Sequence, residues 1–109
     1  MNSEPTAHAI LLVDDNAHGM VARRRVLIDL GYKVVTACSA QEALRIIAEQ
    51  GVKFDVVVTD YQMPAMTGVE LIAELKTLSP ATKTVLLSGF VEPWGMTEES
   101  TGADAVMQK

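Results

Sequence analysis

No disulfide can form within this chain, because Cys38 is its only cysteine among 109 residues. Its fold must rest on burial, and a reducing, cytoplasmic setting is expected. Cys38 has no His or Cys close in sequence and reads as a packing residue. The net charge is -5, so a surplus of basic charge is missing as well. That argues against this segment binding nucleic acid by itself, since phosphate neutralisation needs clustered Lys and Arg. The one basic run, Arg23-Arg24-Arg25, reads as a solvated helix face. No apolar run approaches the ~20 residues of a membrane span, and Met1–Thr6 lacks a secretory pattern. There are no internal repeats and no low-complexity segments.

What remains suits a single domain. Hydrophobic residues make up 49% and charged residues 21%, enough for one core with an ordinary soluble surface. Residues 1–8 are polar, carry Pro5 and read as a lead-in to one domain spanning 9–109. Strand one is predicted over Ala9–Val13 and stops at Asp14-Asp15-Asn16. A helix then runs to Leu30, with Ala22, Val26, Leu27 and Leu30 as its apolar stripe. Gly19 weakens its first turns by ~1 kcal/mol relative to Ala, and Gly31 ends it. Strand two is predicted over Lys33–Ala37. Ser39-Ala40-Gln41-Glu42 has capping-box spacing ahead of helix two, which places Ala43, Leu44, Ile47 and Ala48 on one face and ends at Gly51.

Strand three, Val56–Thr59, is a β-branched run of the kind buried on both faces. It ends on Asp60, where Met63-Pro64 turns the chain away from helical angles. Helix three follows Gly68 with Leu71, Ile72, Leu75 and Leu78 and stops at Ser79-Pro80. Strand four, Thr84–Leu87, delivers Ser88-Gly89. A fourth helix over 91–101 is expected to be irregular because of Pro93 and Gly95. Strand five, Ala105–Gln108, leads to Lys109, and a fifth helix is expected beyond it. Five strand–helix alternations with short connections predict a doubly wound parallel sheet. In such a sheet ligands gather outside the carboxyl ends of the strands.

Asp14, Asp15, Asp60, Ser88 and Lys109 all fall at those ends. Taken singly each has a plain reading: Asp15 or Asn16 caps helix one, Asp60 is a loop residue, Ser88-Gly89 is a turn, Lys109 is solvated. Together they describe a cradle. Crowded carboxylates repel, and an oxygen-only cluster favours Mg²⁺, which takes one or two carboxylates plus phosphate oxygens. A hydroxyl and an ammonium beside it suit a phosphoryl group, and a carboxylate can accept one covalently.

The chain resembles the receiver domain of two-component response regulators. The matching residues are Val13-Asp14-Asp15-Asn16; Thr59-Asp60-Tyr61-Gln62-Met63-Pro64 with Met66 and Gly68; Leu87-Ser88-Gly89; and Gly102-Ala103-Asp104-Ala105-Val106-Met107-Gln108-Lys109. The resemblance implies a flavodoxin-like five-stranded sheet in the order 2-1-3-4-5, with the last helix missing from this chain. It implies a phosphoryl group passed to Asp60 from a sensor histidine kinase or histidine phosphotransfer protein. Asp14, Asp15, Asp60 and the backbone carbonyl of Gln62 would hold Mg²⁺, and Ser88 and Lys109 would contact the phosphoryl oxygens. An output partner or domain, and a homodimer, belong to the same expectation. Gln62 and Phe90 occupy positions that influence how long the phosphoryl group survives.

The sequence departs from that pattern at Val106, where many receivers carry an inward-turning aromatic, and at Pro93-Trp94-Gly95. A signal route through the loop after Ser88 is therefore expected, and the alternative is an interaction module that no longer cycles phosphate. A phosphatase is disfavoured because Gln62 stands where its second acid would be. A nucleotide or flavin binder is disfavoured because no glycine-rich loop follows strand one.

Overall fold

The runs read as strands lie side by side as five parallel strands in a computed structural model that describes residues 8–50, 53–63, 65–88 and 101–108. They are β1 (Ala9–Val13), β2 (Lys33–Ala37), β3 (Val56–Asp60), β4 (Lys83–Ser88) and β5 (Ala105–Gln108). Their order in the sheet is β2-β1-β3-β4-β5, the predicted one, and every pairing is parallel. Helices α1 (Ala17–Asp29), α2 (Ala40–Gln50) and α3 (Gly68–Leu78) follow β1, β2 and β3. The chain winds one way from β1 to β2 and the other way from β3 onward. That reversal leaves a crevice at the carboxyl ends of β1 and β3. The irregular helix expected over 91–101 lies outside the described residues, apart from Thr101. No helix among the described residues is long and apolar enough to cross a membrane.

Period-two alternation decides which residues form the core. Leu11, Val13 and Val57 point to the face covered by α2 and α3, where they meet Ala40, Ala43, Ile46, Leu71 and Leu75. Leu11, Val57 and Leu71 are fully buried, and each such side chain contributes ~1.5–3 kcal/mol relative to exposure. The opposite face is covered differently. There Val26 and Leu27 of α1 stand over Leu12, Val58, Val85 and Leu87 across an apolar groove of about 410 Å³. The stripe predicted for helix one is therefore open rather than sealed: Val26 is 57% exposed and Leu30 68%, while Met20 is the buried residue of α1.

Each helix starts on a side-chain cap. Asn16 caps α1, its Oδ1 accepting from the backbone N–H of His18 (3.1 Å) and Gly19 (3.2 Å). At α2 the predicted box forms in altered register. Ser39 Oγ accepts from the Glu42 N–H (3.1 Å), but the Glu42 carboxylate reaches the N–H of Cys38 (2.6 Å) rather than that of Ser39. At α3 a full reciprocal box joins Thr67 and Glu70 (2.9 and 3.2 Å). That box has an ordinary sequence signature, Thr-x-x-Glu, which the reading of Gly68 as the helix entrance passed over.

Asp104 ties the entrance of β5 to β4. Its carboxylate accepts from the Thr84 N–H (2.8 Å) and hydroxyl (3.1 Å), and its own N–H donates to the Thr84 carbonyl (3.0 Å). The hydrogen bond from the Thr84 backbone, aided by the Thr84 hydroxyl and by Lys83 and Lys76, outweighs burial and lowers the Asp104 carboxyl below its usual 3.8. A carboxyl lowered on folding stabilises the fold fully above the usual value and loses that contribution as pH falls through the lowered one. Asp104→Asn is therefore expected to destabilise the chain by about 1 kcal/mol near neutral pH. In denaturant titrations, the gap to the parent should narrow below pH 3.8; a gap that widens there contradicts this assignment.

Candidate functional site

Parallel pairing brings the carboxyl ends of β1, β3 and β4 to one edge. Val13 lies opposite Thr59, so Asp14 follows β1 level with Asp60, the last residue of β3. Asp60 is opposite Leu87, and Ser88, at the end of β4, is opposite Gln108. Oxygens of Asp14, Asp15 and Asp60 lie within 4.8 Å of one another. Asp14 is 1% exposed and Asp60 6%, whereas Asp15 faces solvent. At that separation two full charges in a protein-like dielectric of ~20 repel by roughly 3 kcal/mol, and by less for the exposed Asp15.

Local folding sets these carboxylates in place. Because Asn16 is the cap of α1, Asp15 joins the acidic cluster instead of closing the helix. One Asp14 oxygen accepts from the Asn16 N–H (2.8 Å), and the other pairs with the guanidinium of Arg23 on α1. After Asp60 the chain folds back sharply. The Tyr61 N–H donates to the Leu87 carbonyl (2.9 Å), and the Tyr61 carbonyl accepts from the Gly68 N–H (2.9 Å). Ala65 holds a left-handed φ of 70° within this loop. The helix entrance then presses on the acid itself: a Cβ at Gly68 would stand 2.3 Å from the Asp60 carbonyl oxygen and 2.7 Å from Leu86.

Of the residues singled out from sequence, Asp14, Asp15 and Asp60 come together and Ser88 is buried at the adjoining strand end. Gln62 is exposed in the loop two residues after Asp60. Val106 lies in β5 opposite Leu86, partly buried against Ile72, Leu86 and Ala103. Tyr61 packs on the same cluster, an aromatic beside Asp60 that the sequence reading did not single out. Lys109 and Phe90, with Pro93, Trp94 and Gly95, lie outside the described residues. The sequence reading also missed Arg23, which it took for part of a solvated face. A cluster of oxygen ligands only, with two of its carboxylates buried, has the chemistry of a site for a hard cation such as Mg²⁺. A second hollow, of about 770 Å³, opens at the amino ends of the strands beside Ile10, Phe54 and Lys83 and takes no part in this cluster.

The sequence model of the response regulator receiver domain matches residues 10–109. The sensor kinase CckA of Brucella abortus (strain 2308) is 40% identical over 83 residues, covering 76% of this chain and 9% of the kinase. The chain likewise spans less than a fifth of the transcriptional regulators among its first curated relatives. A response regulator receiver domain from Clostridium thermocellum superposes with a TM-score of 0.82 at 30% identity, over 94% of this chain and 82% of its own. The response regulator TrrA of Thermotoga maritima, crystallised with Mg²⁺ and BeF, gives 0.81 at 26% identity, over 94% and 86%.

The approach of α3 to Asp60 yields a direct test. At most helix positions Gly→Ala gains ~1 kcal/mol. At Gly68 the added methyl meets backbone, so Gly68→Ala is expected to cost about 2 kcal/mol net in chemical denaturation. A stabilised variant would contradict the close approach.

Proposed function

Because this chain belongs to the response regulator receiver domain family, we propose that it is a phosphorylation-dependent switch with Asp60 as the phosphoryl acceptor. The reading is carried by the meeting of Asp14, Asp15 and Asp60 at the crevice of a receiver fold. Asp14, Asp15, Asp60 and the backbone carbonyl of Gln62 would hold Mg²⁺, which would supply positive charge toward the phosphoryl group. The donor is a phosphohistidine on a sensor kinase or histidine phosphotransfer protein. An Asp60 carboxylate oxygen attacks phosphorus, the P–N bond breaks, and its electron pair stays on the imidazole, which takes up a proton. The product is an acyl phosphate on Asp60.

The hydroxyl of Ser88 and the ammonium of Lys109 are the chain's own groups toward the phosphoryl oxygens. Ser88 suits that role by its burial at the end of β4, next to β3. Lys109 follows Gln108, the residue opposite Ser88. Gln62, exposed beside the site, and Phe90 govern the access of hydrolytic water. With Val106 in place of an aromatic, the change at Ser88 is read out through the loop after it, toward an output partner or domain. The family's soluble signalling role fits a cytoplasmic location and does not call for turnover of an external substrate.

Incubation with a small acyl phosphate and Mg²⁺ is expected to add one phosphoryl mass to the intact protein, and none to Asp60→Asn. Equal mass gain by Asp60→Asn would show that another residue is the acceptor. A module that does not cycle phosphate would instead gain no mass and bind its partner equally with and without the donor.

A further inference from the structure

We infer that Arg23 is a built-in counter-ion of the acidic cluster, one that a divalent cation must displace in order to bind. This rests on the reading of Asp14, Asp15 and Asp60 as a Mg²⁺ site. Asp14 is the most deeply buried of the three acids, and both of its oxygens are engaged, one by the Asn16 N–H and one by the Arg23 guanidinium. The guanidinium stays charged at any working pH. It therefore neutralises part of the cluster, and it raises the potential that an incoming cation must overcome.

Gly19 makes this reach practicable. A helical side chain leans toward the N-terminus and lies over the residue four positions earlier. For Arg23 that residue is Gly19, and a Cβ there would stand 3.2 Å from one guanidinium nitrogen and 3.7 Å from the guanidinium carbon. A glycine that weakens the opening turns of α1 by ~1 kcal/mol thus leaves a lane along which Arg23 reaches the strand ends. The two partners differ in their access to water. The Arg23 side chain is 31% exposed and that of Asp14 2%. When a cation enters, the arginine can swing into solvent while Asp14 stays in place. Arg23 then sets the Mg²⁺ concentration at which the site fills. A purely structural ion pair would hold α1 against β1 and leave cation affinity unchanged.

Calorimetric titration of MgCl₂ at constant ionic strength separates the two. Arg23→Gln is expected to bind Mg²⁺ more tightly than the parent, on the order of tenfold. Gly19→Ala keeps the arginine but crowds its lane, and is expected to shift affinity the same way by a smaller factor. An Arg23→Gln protein that is folded by circular dichroism and binds Mg²⁺ equally or more weakly overturns the inference. Should that variant fail to fold without Mg²⁺, unchanged or weaker binding by Gly19→Ala overturns it instead. The parent protein reports on the underlying site: if it neither binds Mg²⁺ nor gains phosphoryl mass, the site reading fails. If it does both while the variants' affinities stay level, only the role of Arg23 fails.

Discussion

Electrostatic repulsion at the end of β1 and β3 is the constraint to which the rest of this edge responds. Asp14 and Asp60 are almost wholly withdrawn from water, and Asp15 stands within 4.8 Å of both. Clustering of this kind raises the free energy of the fold unless positive charge is supplied. The hydrophobic face behind it, from Leu11 and Val57 to Leu71 and Leu75, holds the strands in register and so keeps the acids together. The stability of the core in this sense holds the acids together against their mutual repulsion, which Arg23 offsets in part at Asp14.

Backbone devices fix how the acids are presented. Asn16 takes over the helix cap, so Asp15 turns to the cluster. The hydrogen bonds of Tyr61 to Leu87 and Gly68, with Ala65 in a left-handed conformation, return the chain to α3 in a few residues. The absence of a side chain at Gly68 brings the start of α3 against the Asp60 carbonyl. These features hold Asp60 from its backbone side, at the crevice where the acids meet. Preorganisation of this sort is what phosphoryl transfer asks of a protein, since little of the chemistry is the protein's own.

Much of this was legible in the sequence because it follows from short-range rules. Short apolar runs bounded by turn residues marked the strands, and the strand–helix alternation with short links led to a parallel, doubly wound sheet; the order of its strands was implied by the resemblance to receiver domains. The acids could be placed on one edge because parallel strands share their carboxyl ends. Other features were not legible. Whether Asp15 or Asn16 caps α1 is a choice between neighbours with similar chemistry, decided by backbone geometry at Asn16. The exposure of Val26 and Leu30 could not follow from periodicity, which marks an apolar face without saying how closely it is covered. Arg23 was hidden because its partner lies nine residues away across the loop between β1 and α1. The trace it leaves in sequence is Gly19, four residues earlier, which looked only like a weak point in a helix.

The claim beneath all of this is that the three acids form a site whose strain a divalent ion relieves. Thermal unfolding of the unmodified chain across a range of Mg²⁺ concentrations, against NaCl at matched ionic strength, tests it most directly. A ligand bound only by the folded state raises stability with the logarithm of its concentration once the site is filling. The account predicts such a rise in Tm with Mg²⁺, with NaCl failing to reproduce it. A Tm indifferent to Mg²⁺, or raised equally by both salts, would contradict it.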